Sequence, residues 1–265
     1  MSRGAGPPAA LHAEWTKLRT MSGPAWLLAG LVTLTIAVSA LTAQAVTCPS
    51  GTACPVDPAK LSLTGIEVGQ AVVAVLAVLA IGGEYSTGMI RVTLAAIPRR
   101  TVVLAAKAGI LVALVLAAGA LAVAGALLAG RLILPGHGFT PAHGFALLTP
   151  GSPPVLRAAA GSVLYLALIA LLSLGISTAV RDSAVAIGIV LGLLYLFPIV
   201  ANVVSNEQWH RHLEQIGPMT AGLAIQATTD LSSLPISPWA GLGVLAAWAG
   251  AALLVGGLVL KLRDA

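Results

Sequence analysis

Polar positions divide this chain into six long apolar segments, at roughly residues 24–43, 62–83, 102–129, 158–180, 184–204 and 239–260. Each is about 20 residues or more, and at about 1.5 Å of helical rise per residue each covers the roughly 30 Å hydrocarbon core of a bilayer. A chain crossing lipid must bond its backbone N–H and C=O groups internally, and none of the six runs alternates polar with apolar positions. The pattern therefore predicts helices and excludes a β-barrel. The expected class is all-α: a polytopic integral membrane protein with a leader over 1–23 and six transmembrane helices within 24–265.

Composition supports this pattern. Hydrophobic residues make up 58% of the chain and charged residues 9%, against roughly 25% charged in an ordinary soluble domain, and the mean hydropathy is +0.97. The longest connections, roughly 130–157 and 205–238, are rich in Pro, Gly and Ser and too short for a separate core. The net charge of +5 raises nucleic acid as a partner. The basic residues instead flank membrane segments, with no continuous patch and no interleaved aromatics, so they report orientation. With a cytoplasmic N-terminus, Arg3, Lys17, Arg19, Arg91, Arg99, Arg100, Lys107, Arg181, Lys261 and Arg263 fall inside, and Lys60, Arg131, Arg157 and Arg211 fall outside. Ten against four obeys the positive-inside rule and places both termini in the cytoplasm. The first segment is followed by Ala43-Gln44-Ala45, a small-x-small pattern, but it is longer than a signal h-region and follows a polar leader, so it is expected to remain as the first helix.

The two cysteines, Cys48 and Cys54, share the first outer loop. In an oxidising compartment they favour a small disulfide, with two free thiols or a metal site as the alternatives. No soluble-enzyme signature is present. None of the four lysines closes a G-x-x-x-x-G-K-[ST] loop, so the chain is not expected to hydrolyse ATP itself. H-E-x-x-H is absent, His210 and His212 lie in an outer loop with no cysteines near, and Gly161-Ser162-Val163 is not a nucleophile elbow. No catalytic, cofactor-binding or metal-ligating set is expected in this chain.

The connection between the second and third segments runs Gly82-Gly83-Glu84-Tyr85-Ser86-Thr87-Gly88-Met89-Ile90-Arg91-Val92-Thr93-Leu94-Ala95-Ala96-Ile97-Pro98-Arg99-Arg100. Ser86 or Thr87 can cap a short helix, Met89, Ile90, Leu94 and Ile97 can share one face, and Pro98 stops it. Arg99 and Arg100 then open the third segment, with Lys107 two turns on and able to snorkel to the interface. In the leader, Leu11, Trp15 and Leu18 recur at i, i+4 and i+7, with Glu14 and Lys17 to one side, as in a helix lying in the membrane surface. Read physically, Trp15, Lys17, Arg19, Arg99, Arg100 and Lys107 are interfacial anchors.

Taken together, Gly83-Glu84-Tyr85-Ser86-Thr87-Gly88-Met89-Ile90-Arg91 followed by Pro98-Arg99-Arg100, the leader Ala13-Glu14-Trp15-Thr16-Lys17-Leu18-Arg19-Thr20, and the terminal Arg263-Asp264-Ala265 resemble the permease subunits of bacterial type-2 ATP-binding-cassette (ABC) exporters. The likeness spans nearly the whole chain in order and spacing. It implies an elbow helix in the leader and a cytoplasmic coupling helix over the 84–100 loop that enters a groove of an ATPase subunit. Glu84, Tyr85, Gly88 and Arg91 are the coupling positions it carries over. It also implies a bacterial plasma-membrane protein, a second permease chain as homodimer or heterodimer partner, two ABC ATP-binding subunits, and ATP with Mg2+ on those subunits.

Few polar residues interrupt the membrane segments. Glu67 and Gln70 fall near the outer end of the second, where a carboxylate costs less than at mid-bilayer, and suit structural or gate-lining roles. Pro198 can kink the fifth, Gly188 and Gly192 form a G-x-x-x-G suited to close helix packing, and residues 217–227 can form a short outer helix that partly re-enters. Asp230 is expected to be solvated. A secondary transporter or channel is the competing class, but clear internal repeats and deep ionisable groups are missing. A membrane-embedded enzyme, the weaker competitor, lacks a convergent catalytic set.

Overall fold

In the computed structural model, residues 22–48, 56–89, 100–140, 149 and 151–263 are described. All regular structure among them is helical: α1 (Ser22–Ala45), α2 (Pro58–Ser62), α3 (Ile66–Ser86), α4 (Arg100–Ile133), α5 (Pro153–Val180), α6 (Ser183–Val203), α7 (Glu207–Ile216), α8 (Pro218–Leu223) and α9 (Pro238–Arg263), with short 3-10 turns at Leu134–His137, Ala224–Gln226 and Leu231–Ser233. Six of these, α1, α3, α4, α5, α6 and α9, are long and apolar enough to cross a membrane. The chain is a multi-pass, six-helix membrane fold.

α5 is the hub. Tyr165, Leu166, Ile169, Ala170, Leu172 and Leu174 are fully enclosed, and α3, α4 and α9 all pack on it. Its closest approach is to α9. A Cβ on Gly175 would sit 2.5 Å from the Ala252 carbonyl carbon and 2.6 Å from Leu253 N, and one on Gly256 would sit 2.5 Å from Gly175 O. The two backbones therefore touch without side chains between them, the arrangement small residues permit in lipid. The expected G-x-x-x-G site is not used inside the chain. Nothing lies within 4 Å of a Cβ placed on Gly188 or Gly192, because both sit on the open face of α6 beside exposed Val185, Ile189 and Leu196.

Between α6 and α9 the chain makes a helical hairpin that folds back along both helices. α7 starts at Asn206, whose side chain caps Gln208 N and Trp209 N, and folds back along α6, with His210 Nδ1 2.8 Å from Ala201 O. Its end lies against the side of α9: Trp248 Nε1 donates to Ile216 O at 3.0 Å, with Ile216 itself exposed, and Trp248 lies ten residues, about 15 Å of rise, into α9. α8 then climbs back. Gln70 Nε2 reaches Met219 Sδ at 3.1 Å, Tyr165 Oη donates to Gln70 Oε1, Gln226 Nε2 donates to Ser162 Oγ at 3.3 Å, and Arg157 donates to Ala227 O. The short helix expected over 217–227 is present as α8, and Gln70 holds it in place through Met219. α7 itself, with Trp209, Leu213 and Ile216 at i, i+4 and i+7, went unread in the sequence.

Asp57 fastens the hairpin to the connection between α1 and α3. Its carboxylate caps α2 through Ala59 N and Lys60 N and accepts from Thr228 N, Thr228 Oγ1 and Thr229 N. Asp57→Ala removes a cap and three cross-loop bonds together. An expected loss of about 2 kcal/mol follows from typical cap and hydrogen-bond values, read as a lower midpoint in detergent unfolding. Asp57→Asn, which keeps one acceptor oxygen, should lose less. Nearby, Cys48 is buried and disulfide-bonded, and Cys54 lies outside the described residues. Asp230 is exposed, with a left-handed backbone at φ 47°.

Candidate functional site

The ends of α3, α5 and α9 and the starts of α4 and α6 meet at one end of the bundle, termed basal here. α3 is apolar from Ala71 to Ile81, passes through Gly82 and Gly83, and stops at Ser86. Thr87 folds back on it, with N and Oγ1 both bonding Gly83 O, at 3.3 and 2.8 Å. Gly88 N bonds Tyr85 O at 3.2 Å, and the Gly88 backbone takes φ +70°. That left-handed conformation costs glycine nothing and strains a β-branched residue. Thr87, Gly88 and Met89 project from this stop into the open.

Behind the turn, the chain is charged and enclosed. Glu84 occupies the last turn of α3 rather than the start of a separate helix, at 8% exposure. Lys107 of α4, at 4%, places Nζ 2.8 Å from Glu84 Oε1 and 3.3 Å from Ala80 O. The interfacial role expected for Lys107 is therefore replaced. Its stem points into the α3–α4 interface, where a carboxylate and an α3 carbonyl compensate its desolvation better than distant headgroups can.

Tyr85, next to Glu84, lies under the guanidinium of Arg181, 5.7 Å from the ring centroid. Arg181 ends α5 in a left-handed conformation, φ 66°, and donates Nη2 to Val259 O of α9 at 3.2 Å. Arg100, the first residue of α4, donates Nη1 to Leu260 O at 2.7 Å and to Lys261 O at 3.3 Å. Carbonyls in the last turn of a helix carry partial negative charge and can accept a second hydrogen bond, so two arginines there complement the end of α9. Arg100 is thus a clamp on α9 as well as an element of the membrane border.

Of the residues singled out in the sequence, Glu84, Tyr85, Gly88, Arg100 and Lys107 gather at this end. Arg91 and Arg99, and Trp15, Lys17 and Arg19 of the leader, lie outside the described residues. Sequence reasoning missed Arg181 and the carbonyls of α9. The only signal for them was a charge at each of three segment ends on the same predicted side of the membrane.

Among the described residues no group of three His, Cys, Asp or Glu side chains is placed to hold a metal. His210 lies 3.5 Å from Glu214, and Arg211 pairs with Glu207 at 2.8 Å, both on the surface of α7. The basal end is an exposed turn with a buried ion pair directly behind it. Compared with known proteins, the chain matches no family model and no curated protein.

Proposed function

We propose that this chain is the membrane-spanning half of an ATP-driven exporter, working with a second permease chain and with separate ATPase subunits that dock on the basal turn. The observation that supports this reading is the turn itself. Thr87, Gly88 and Met89 stand exposed at the end of a spanning helix whose last turn is fixed by the Glu84–Lys107 pair. A docked partner pushing on this turn would move α3 and α4 directly, since neither the helix end nor its brace can yield separately. Conversion between inward- and outward-open states then follows from differential partner contacts. In this scheme Gly88 and Met89 face the ATPase, while Glu84 acts from within as the brace. Substrate would pass between two such six-helix units in the plasma membrane, with the basal end cytoplasmic.

The test uses tagged permease purified from its own membrane. Wild type should retain a subunit carrying a G-x-x-x-x-G-K-[ST] loop and show ATP hydrolysis. Gly88→Val, with open space around its Cβ but a forbidden backbone, should stay folded and reduce that retention about tenfold, equivalent to about 1.4 kcal/mol of binding. Arg211→Ala, which breaks only a surface pair, should match wild type. Equal retention by Gly88→Val and Arg211→Ala would refute docking at this turn.

A further inference from the structure

We propose that α9 is the rod that carries motion of the basal turn to the helical hairpin on the opposite side, with Arg100 and Arg181 as the positioning residues that fasten its lower end. The inference rests on the exporter reading above.

Both stems of the 86–100 loop meet the same turn of α9. The leading stem does so through Tyr85, which lies under Arg181, itself bonded to Val259 O. The trailing stem does so through Arg100, bonded to Leu260 O and Lys261 O. Glu84 and Lys107 tie the two stems to one another. Displacing the loop must therefore break several charge-assisted bonds or take the base of α9 with it.

The upper half of α9 is fastened just as directly to the hairpin. Trp248 Nε1 holds Ile216 O at the hairpin tip, Phe197 packs edge-on against Trp248 with ring centroids 6.4 Å apart, and Gly241 lies against the carbonyl of Ala221 in α8. Between these ends, Gly175 and Gly256 put α9 backbone against α5 backbone. Because Arg181 at the end of α5 also holds Val259 O of α9, a shift of the α9 base carries this crossing with it, and the two helices tilt as one packed pair against the rest of the bundle. Coupling along a route is established only when a change at one end alters the other, so the test reads the hairpin while perturbing the base.

Amide hydrogen exchange over 217–227 is measured for the full transporter, permease plus its ATPase subunit, in nanodiscs with and without a non-hydrolysable ATP analogue. In wild type, nucleotide should change the exchange rate of this hairpin by about threefold or more, a local opening shift rather than unfolding. In the Arg100→Gln/Arg181→Gln variant the ATPase should still bind, and the nucleotide response of 217–227 should vanish. Arg131→Gln, at the far end of α4, should keep it. Exchange of the α5 core over 166–174 reports folding. If the double variant loses that protection, the Arg100→Lys/Arg181→Lys pair decides, with a reduced but measurable hairpin response expected. An undiminished response in whichever folded pair is read overturns the inference. So does a wild-type transporter that binds its ATPase while its hairpin ignores nucleotide. If wild type binds no ATPase subunit, the exporter reading fails first and this inference falls with it.

Discussion

Lys107→Met should lower the stability of the bundle by about 3–5 kcal/mol, because it leaves Glu84 charged and enclosed without its Nζ partner. That is a large part of the roughly 5–15 kcal/mol by which proteins are stable, so poor recovery of folded protein from detergent is expected. Glu84→Ala should also destabilise, by a smaller amount, because the enclosed Lys107 ammonium loses its carboxylate while keeping its bond to Ala80 O. The double variant Glu84→Leu/Lys107→Met should regain most of the loss, since apolar replacements of similar volume remove the desolvation penalty along with the attraction. Chemical unfolding of all four proteins in mixed micelles closes this cycle. Additive losses in the double variant would show that the two side chains act independently, contrary to the 2.8 Å contact.

The second large effect is expected at the α5–α9 crossing. Gly175→Val puts a branched side chain where the first added carbon already meets backbone atoms of Ala252 and Leu253. Backbone cannot rotate aside as a side chain can, so the helices must separate. Overpacking of this kind costs about 1–3 kcal/mol, occasionally more, and valine here should exceed that range's middle. Gly188→Ala and Gly192→Ala provide the contrast. Both positions are open, and replacing glycine by alanine within a helix gains about 0.5–1 kcal/mol of propensity. Thermal unfolding in detergent should place Gly175→Val well below wild type and the two α6 variants level with it or above. A loss in the α6 variants as large as that of Gly175→Val would contradict the packing described here.

These two sites show where a single sequence is readable and where it is not. Hydropathy revealed all six spanning helices because lipid requires long uninterrupted apolar runs, a local property. Their limits were misplaced where a polar residue belongs to the helix but serves another element. α5 begins at Pro153, five residues before the apolar run, because Arg157 lies inside the helix and bonds Ala227 O. α4 begins at Arg100 for the same kind of reason, its guanidinium reaching the end of α9. The Glu84–Lys107 pair spans 23 positions, and nothing local distinguishes a lysine that snorkels outward from one that turns inward to a carboxylate. Glycine spacing misled in the same way. G-x-x-x-G at 188–192 is a local motif without a neighbour inside the chain, whereas Gly175 and Gly256 carry no shared motif and meet only through tertiary packing. Asp57 was legible after all: an Asp followed by Pro58 is an N-cap followed by a proline at the first helical position. Its second role, holding Thr228 and Thr229, is long-range and left no trace.

The coupling role of the basal turn is tested most directly by a photo-reactive amino acid introduced at Met89 in living cells. Met89 is exposed beside the helix stop, and Trp209 on α7 is exposed at the opposite part of the bundle. An exporter half requires that light joins residue 89 to a subunit bearing a phosphate-binding lysine loop, that the yield changes with nucleotide, and that the same probe at position 209 never captures that subunit. Capture of only lipid or a second permease chain from position 89, with transport surviving ATP depletion and following an ion gradient, would contradict ATPase coupling and leave a secondary transporter.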